Sequence, residues 1–177
     1  SNSITIEEGD PTPINTVFEL QKYTNLISYP FEGTSPIEET IPENKQDYIY
    51  AIISESTAAI NLGGQWSGGL TELSGLSGYW FITNTAFDFT YNPPGSTDLT
   101  RTVSPVRLVP EEYSYKQSTK QAFYFVDNAT IDGESIDMED IIIAYNGDVI
   151  VGSRYWYGEI TDIPAMGADG SATYAGY

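Results

Sequence analysis

Polar and apolar positions alternate in short runs along most of the chain, a period of two that predicts strands rather than helices. The first such run, Ser3-Ile4-Thr5-Ile6, lies in an acidic, proline-containing arm over residues 1–13 and has no hairpin partner nearby. This arm is expected to act in assembly. Residues 1–10 would add as a strand to a neighbouring subunit or to the other domain, with Ile4 and Ile6 filling pockets on one face. Val17-Phe18-Glu19-Leu20 and Asn25-Leu26-Ile27-Ser28-Tyr29-Pro30 follow as two β-type runs split by a polar turn.

The pattern then changes. Ser35-Pro36-Ile37-Glu38 reads as an N-cap, a proline in the first turn and an acidic residue near the start of a short helix. Asp47-Tyr48-Ile49-Tyr50-Ala51-Ile52-Ile53 is rich in β-branched and aromatic residues and predicts a strand. The stretch from Asn61 to Leu70, with two Gly-Gly pairs, predicts a glycine-turned hairpin. Gly78-Tyr79-Trp80-Phe81-Ile82 and Phe87-Asp88-Phe89-Thr90-Tyr91 predict two further strands joined by a loop at Asn84.

Asn92-Pro93-Pro94-Gly95-Ser96-Thr97 breaks the periodicity, because proline brings no ladder donor and glycine loosens the chain. A linker over residues 92–104 is therefore expected. Beyond it, Asp132-Gly133 and Asn146-Gly147 each sit between apolar runs and predict two-residue hairpins with type I′ turns. No period of the solenoid or propeller kind is visible. The expected fold is mainly β, with two small β-rich, sandwich-like domains. An arm at 1–13 precedes a first domain at 14–91 containing the short helix. The linker at 92–104 leads to a second domain at 105–177, completed by another segment.

Composition agrees with a folded chain. In 177 residues, 14 Tyr, 7 Phe and 3 Trp supply material for a core. Charge narrows the function further: 25 acidic residues against 7 basic ones give a net charge of -18, and the cations are scattered singly. Nucleic-acid binding, which needs a basic stripe, is not expected. Neither is membrane insertion, since no apolar run approaches the roughly 20 residues that span a bilayer. The start at Ser1 lacks the basic and apolar regions of a signal peptide, so any export signal is expected to have been removed. The richness in Tyr, Thr, Ser and Gly with few lysines suggests an extracellular, cell-surface or particle-surface location.

With no His and no Cys, the Ser-His and Cys-His nucleophile systems and zinc–thiolate sites are absent. A carboxylate-pair glycosidase needs only two Asp or Glu across a cleft, but this many acidic residues guarantee accidental pairs, and no catalytic residue is assigned. Asp132, Glu134, Asp137, Glu139 and Asp140 form an oxygen-rich cluster of the type Ca²⁺ prefers, without EF-hand spacing. They are the candidate metal ligands, against a solvated turn as the alternative. Asp162, Asp169 and Gly170 are a weaker second candidate.

Trp66, Tyr79, Trp80, Tyr155, Trp156 and Tyr157 suggest a ligand platform, because flat rings stack on sugar faces, although aromatics on strands more often fill a sandwich core. Alternation along Tyr155-Trp156-Tyr157 would expose one face of that strand. Asn128-Ala129-Thr130 is a lone glycosylation sequon and carries little information. The chain's lysines show no spacing diagnostic of Lys–Asn isopeptide cross-links.

Two sets of motifs carry a resemblance. The first is Asn25-Leu26-Ile27-Ser28-Tyr29-Pro30 with Gly64-Gln65-Trp66-Ser67-Gly68-Gly69-Leu70 and Ser77-Gly78-Tyr79-Trp80. The second is Gln121-Ala122-Phe123-Tyr124-Phe125 with Ala144-Tyr145-Asn146-Gly147-Asp148-Val149, Val151-Gly152 and Asp162-Ile163-Pro164-Ala165-Met166-Gly167-Ala168-Asp169-Gly170. Together they cover most of the chain and resemble repeat modules of large secreted or cell-surface proteins of marine bacteria. The resemblance implies structural or adhesive repeats with no catalytic residues to carry over. The chain departs from it at Thr173-Tyr174-Ala175-Gly176-Tyr177, where related modules continue into further strands.

The expectation is therefore a non-enzymatic extracellular subunit that self-assembles, as a homo-oligomer, filament or larger structure, or attaches to a surface. A glycan-binding module is one alternative, and a phage virion decoration or fibre protein is another.

Overall fold

The computed structural model describes residues 12–95, 107–170 and 176–177. The expected donor strand with Ile4 and Ile6, and most of the expected linker, lie outside the described residues. The fold is mainly β, as the period-two pattern requires, and its helices are single turns.

The first half begins with β1 (Phe18–Leu20), β2 (Tyr23–Ser28) and β3 (Thr34–Pro36). Two one-turn helices follow, α1 (Ile37–Thr40) and α2 (Glu43–Gln46). Then come β4 (Ile49–Ile53), β5 (Ala58–Asn61), β6 (Trp66–Ser67), β7 (Glu72–Ser74), β8 (Gly78–Thr83) and β9 (Phe87–Phe89). Strands β2-β8-β4-β5-β6 form a five-stranded antiparallel sheet, while β1–β9 and β3–β7 form two-stranded ribbons.

Alternation on β8 decides where the core lies. Tyr79, Phe81 and Thr83 are buried, while Trp80 between them faces out. The inward residues of the sheet join Leu20, Ile37, Ile41, Leu73, Phe89 and Tyr91 in one apolar cluster. Its rings meet mostly edge to face, Phe89 and Tyr91 at 4.8 Å and Tyr29 and Tyr91 at 5.5 Å between centroids. That arrangement brings positive ring edges onto negative faces. A bulge in β4 opposite β8 leaves Tyr50 unpaired and exposed, so the strand predicted from residues 47–53 forms but its alternation is interrupted.

The helix start differs from the sequence expectation. Ser35 belongs to β3, and Pro36 itself stands at the N-cap position with no side-chain hydrogen bond to cap the turn. The helix stops after one turn because Ile41 precedes Pro42 and is forced into extended backbone. Pro42 then opens α2, which was not anticipated, although Pro42-Glu43 repeats the proline-then-acid signal used for α1.

The second half carries β10 (Lys120–Val126), β11 (Thr130–Ile131), β12 (Glu134–Ser135), β13 (Ile141–Asn146), β14 (Val149–Tyr155) and β15 (Thr161–Gly167). β10 pairs with β15 along seven residues, and β13 with β14 as a hairpin. β14 packs against β15 where Gly152 meets the Pro164 carbonyl: a Cβ on Gly152 would overlap that oxygen, and Pro164 has no N–H to offer a ladder.

At the first predicted hairpin, Asp132 (φ 52°) and Gly133 (φ 88°) take both central positions between Ile131 and Glu134, as a type I′ turn demands. The second forms one residue later than expected. Asn146 pairs with Val149 inside the ladder, so Gly147 (φ 60°) and Asp148 are the central residues. Positive φ at the first central residue only is the type II′ pattern. The cause lies in a bulge opposite Ala144 and Tyr145, which places Val151 as an extra residue on β14 and fixes the register at which the hairpin closes.

Candidate functional site

A buried ion pair joins the two halves. Arg154 on β14 and Asp162 on β15 are 3% and 0% exposed, with guanidinium and carboxylate 3.1 Å apart. Asp162 accepts the Ala58 N–H (3.0 Å) and the Gly69 N–H (2.6 Å), both from the first half. Arg154 donates to the Ser56 carbonyl at 2.6 Å and to the Asp162 carbonyl at 3.0 Å. Burial raises the Asp162 carboxyl above its ordinary range, against Arg154 and the two N–H donors, which favour the carboxylate. Charges removed from water survive only when their lone pairs and protons are satisfied, which is what these backbone partners do. Gly69 permits the approach: a Cβ there would lie 2.7 Å from the Asp162 carboxylate and 2.8 Å from the Tyr157 hydroxyl.

Beside this junction is a cleft of about 490 Å³ between the halves, a size suited to a small ligand. Trp80, 42% exposed, comes from the outer face of the five-stranded sheet; Glu55 comes from the β4–β5 turn, and Gln117, Gln121 and Asp169 from the second half. The Gln117 amide spans the junction, donating to the Glu55 carbonyl at 2.5 Å and to Gln121 Oε1 at 2.7 Å. Thr119 and Asp169 approach at 3.4 Å on the same rim. A second cleft of about 450 Å³ shares Ser54, Glu55 and Gly78 with the first, making one polar trough.

The six rings singled out from sequence do not share one surface. Tyr79 is buried, its hydroxyl accepting the Ser74 N–H at 2.7 Å. Trp156 is buried, and its backbone N–H donates to the Asp140 carbonyl at 2.9 Å. Trp66 is half-buried and donates its indole N–H to Gln46 Oε1 at 3.0 Å. The Arg107 guanidinium lies 3.7 Å from the centroid of the half-buried Tyr155. Tyr157 lies at the Asp162 junction, and burial raises its phenol pKa. Of the six, Trp80 and Tyr79 line the trough, and Trp80 is the one of the two that is exposed.

The acidic residues of 132–140 serve the turn they lie in. Asp132 occupies the β11–β12 turn, and Glu134 opens β12 with its side chain exposed. Asp140 accepts the Asp137 N–H and Asp137 accepts the Glu139 N–H, both at 2.8 Å. Glu139 pairs with Arg107 at 2.6 Å, which holds its carboxyl below the usual range. Among the described residues no three carboxylates converge on one point. Of the second acidic set, Asp162 is engaged by Arg154, while Asp169 and Gly170 lie in the loop after β15.

Sequence reasoning missed the amides. Gln46, Gln117 and Gln121 bridge elements, but glutamine carries no periodicity and no spacing rule, and Gln46 lies in the all-polar run Glu43-Asn44-Lys45-Gln46-Asp47, where nothing marks it as buried. No protein-family model, no curated protein and no solved structure matches this chain.

Proposed function

We propose that the protein is an extracellular structural or adhesive subunit that works without catalysis, by assembling with copies of itself through the second half. One observation carries this reading. Tyr124 on β10 and Tyr145 on β13 are 62% and 58% exposed and line the same shallow groove of about 670 Å³, floored by Ala122 and Ala144. Among the described residues the half that bears them has a thin interior, with Val151, Trp156, Ile163, Pro164 and Met166 buried and Ile141, Ile142 and Ile143 only partly covered. A strand layer covered this sparsely gains by stacking on another layer. A second copy supplies one by two-fold symmetry, the arrangement most homo-oligomers use.

Two subunits of net charge -18 repel each other at low salt, and screening at high ionic strength relieves that repulsion. Assembly should therefore strengthen with salt. Sedimentation across a range of protein and salt concentrations tests the proposal, comparing the native chain with a Tyr124→Glu, Tyr145→Glu double variant. Oligomers that grow with concentration and salt and vanish in the double variant are the expected result; a monomer throughout refutes it.

A further inference from the structure

We infer that the trough beside Trp80 is a binding site for a neutral or amino-sugar glycan, a site that adjoins the tyrosine groove through which copies assemble at Gln121 alone. Trp80 presents its ring on the outer face of β8, flanked across the strand pair by the exposed Leu26 and along its own strand by Gly78. Gly78 matters because it has no side chain of its own to crowd the ring: the Leu26 methyl, 3.6 Å from where a Cβ would stand, is what borders that side, and a flat ligand can lie against ring and methyl together. A sugar ring fits such a floor, since its axial C–H groups pack on an aromatic face while its hydroxyls radiate sideways.

The walls match those hydroxyls. Gln117 commits its NH₂ to Glu55 and Gln121, which leaves its own carbonyl oxygen and the Gln121 NH₂ without a hydrogen-bond partner among the described residues. An acceptor and a donor thus stand side by side on one rim. The Glu55 carboxylate adds acceptors where the two clefts join. Because Gln117 holds the Glu55 carbonyl across the junction of the halves, this rim is in place before any ligand arrives, which lowers the cost of ordering on binding.

Charge selects the class of sugar. Neither cleft is lined by a lysine or arginine, whereas Glu55, Glu72 and Asp169 all border the trough. With the chain's net charge of -18, uronic-acid and sulfated polysaccharides are repelled, and neutral hydroxyls or a protonated amino group are favoured. A peptide is the weaker fit, because the apolar residues of the trough, Trp80, Tyr79, Leu70 and Leu76, stand dispersed among serines, threonines and carboxylates rather than forming a row of apolar pockets.

The test is titration of the full chain, followed by tryptophan fluorescence, with four probes: neutral gluco- and xylo-oligosaccharides, chitosan oligosaccharides, a sulfated polysaccharide and a polyuronate. Binding of a neutral or amino-sugar probe that is about tenfold weaker in Trp80→Ala is expected. Gln121→Ala, at a partly exposed position that leaves the core untouched, should weaken the same probe several-fold and guards against a misfolded Trp80 variant. Binding of the anionic probes at equal strength overturns the proposal, as does retention of full affinity in both variants. So does failure of every sugar to bind, including the case in which only a peptide ligand is captured. Loss of self-assembly in Tyr124→Glu, Tyr145→Glu should leave sugar binding unchanged, since neither tyrosine lines the trough and the two surfaces meet only at Gln121.

Discussion

The Asp162 carboxylate sits 3.1 Å from the Arg154 guanidinium with neither side chain open to solvent, and its oxygens take N–H bonds from Ala58 and Gly69 in the other half of the chain. Removing one partner leaves the other charge buried alone. Asp162→Ala should therefore destabilise the fold by roughly 3–5 kcal/mol, far more than a surface ion pair is worth. Equilibrium denaturation in urea checks this, and a loss under about 1 kcal/mol would show that the pair is dispensable. The exposed Arg107–Glu139 pair gives the contrast: Glu139→Gln should leave the midpoint almost unchanged.

A second prediction concerns Gln46, whose buried amide donates to the Glu38 and Ile41 carbonyls at 3.0 and 2.9 Å and accepts the Trp66 indole N–H. Gln46→Ala strands those groups and should cost roughly 2–3 kcal/mol. It should also shift Trp66 emission, because the indole loses its partner. An unchanged spectrum together with unchanged stability would contradict this account.

The Tyr91 hydroxyl is buried with no hydrogen-bond partner among the described residues. Tyr91→Phe should consequently be neutral or stabilising by up to about 1–3 kcal/mol, the desolvation penalty of an unmade bond. Thermal melts of the two proteins decide it, and a large destabilisation would reveal a partner for that oxygen.

The same residue sets a limit at high pH. Burial, and then the neighbouring Tyr79 and Tyr29, push the Tyr91 phenol well above its ordinary value of 10.0. The folded chain then holds the proton more tightly than the unfolded chain. The sign follows: the stability contribution is fully present below pH 10, the unfolded value, and declines as pH rises from there towards the folded value. Alkaline titration of tyrosine absorbance should show Tyr91 ionising only as the fold opens, and Tyr91→Phe should unfold at higher pH than the native chain. Early, reversible ionisation of all the tyrosines would exclude the effect.

Gly152→Ala should destabilise by roughly 1–3 kcal/mol, because the new methyl meets the Pro164 carbonyl and β14 and β15 must move apart. At Gly147 nothing lies within 4 Å, so Gly147→Ala should cost only about 1–2 kcal/mol through its left-handed backbone. Comparing each with urea denaturation separates crowding from backbone strain; equal near-zero effects at both positions would argue against the β14–β15 packing.

How far the sequence foretells this structure varies by element. Strands such as Tyr79-Trp80-Phe81 and Ile141-Ile142-Ile143 were legible because period two and β-branched residues are local properties of the chain. The Asp132-Gly133 turn was legible for the same reason, whereas the Asn146-Gly147 turn moved one residue because a bulge on the opposite strand, a pairing property, set its register. The inward or outward role of each aromatic was not legible: Tyr79 and Trp80 look alike as sequence, and only the placement of the sheet faces distinguishes them. Asp162 was read as a weak cation ligand because its partner Arg154 and its two N–H donors, 104 and 93 positions away, are brought to it only by the tertiary fold.

Those separations also order events in time. Every residue of the main apolar cluster lies between positions 20 and 91, so the first half can collapse before the second is available. Until Asp162 arrives, the Ala58 and Gly69 N–H groups have only water for partners, and loops of about a hundred residues close slowly compared with hairpins. On the ribosome this junction is therefore among the last contacts to form. For that interval the nascent chain carries two unsatisfied N–H groups, at Ala58 beyond the β5–β6 pairing and at Gly69, where an acceptor from another chain could bind in place of its own carboxylate.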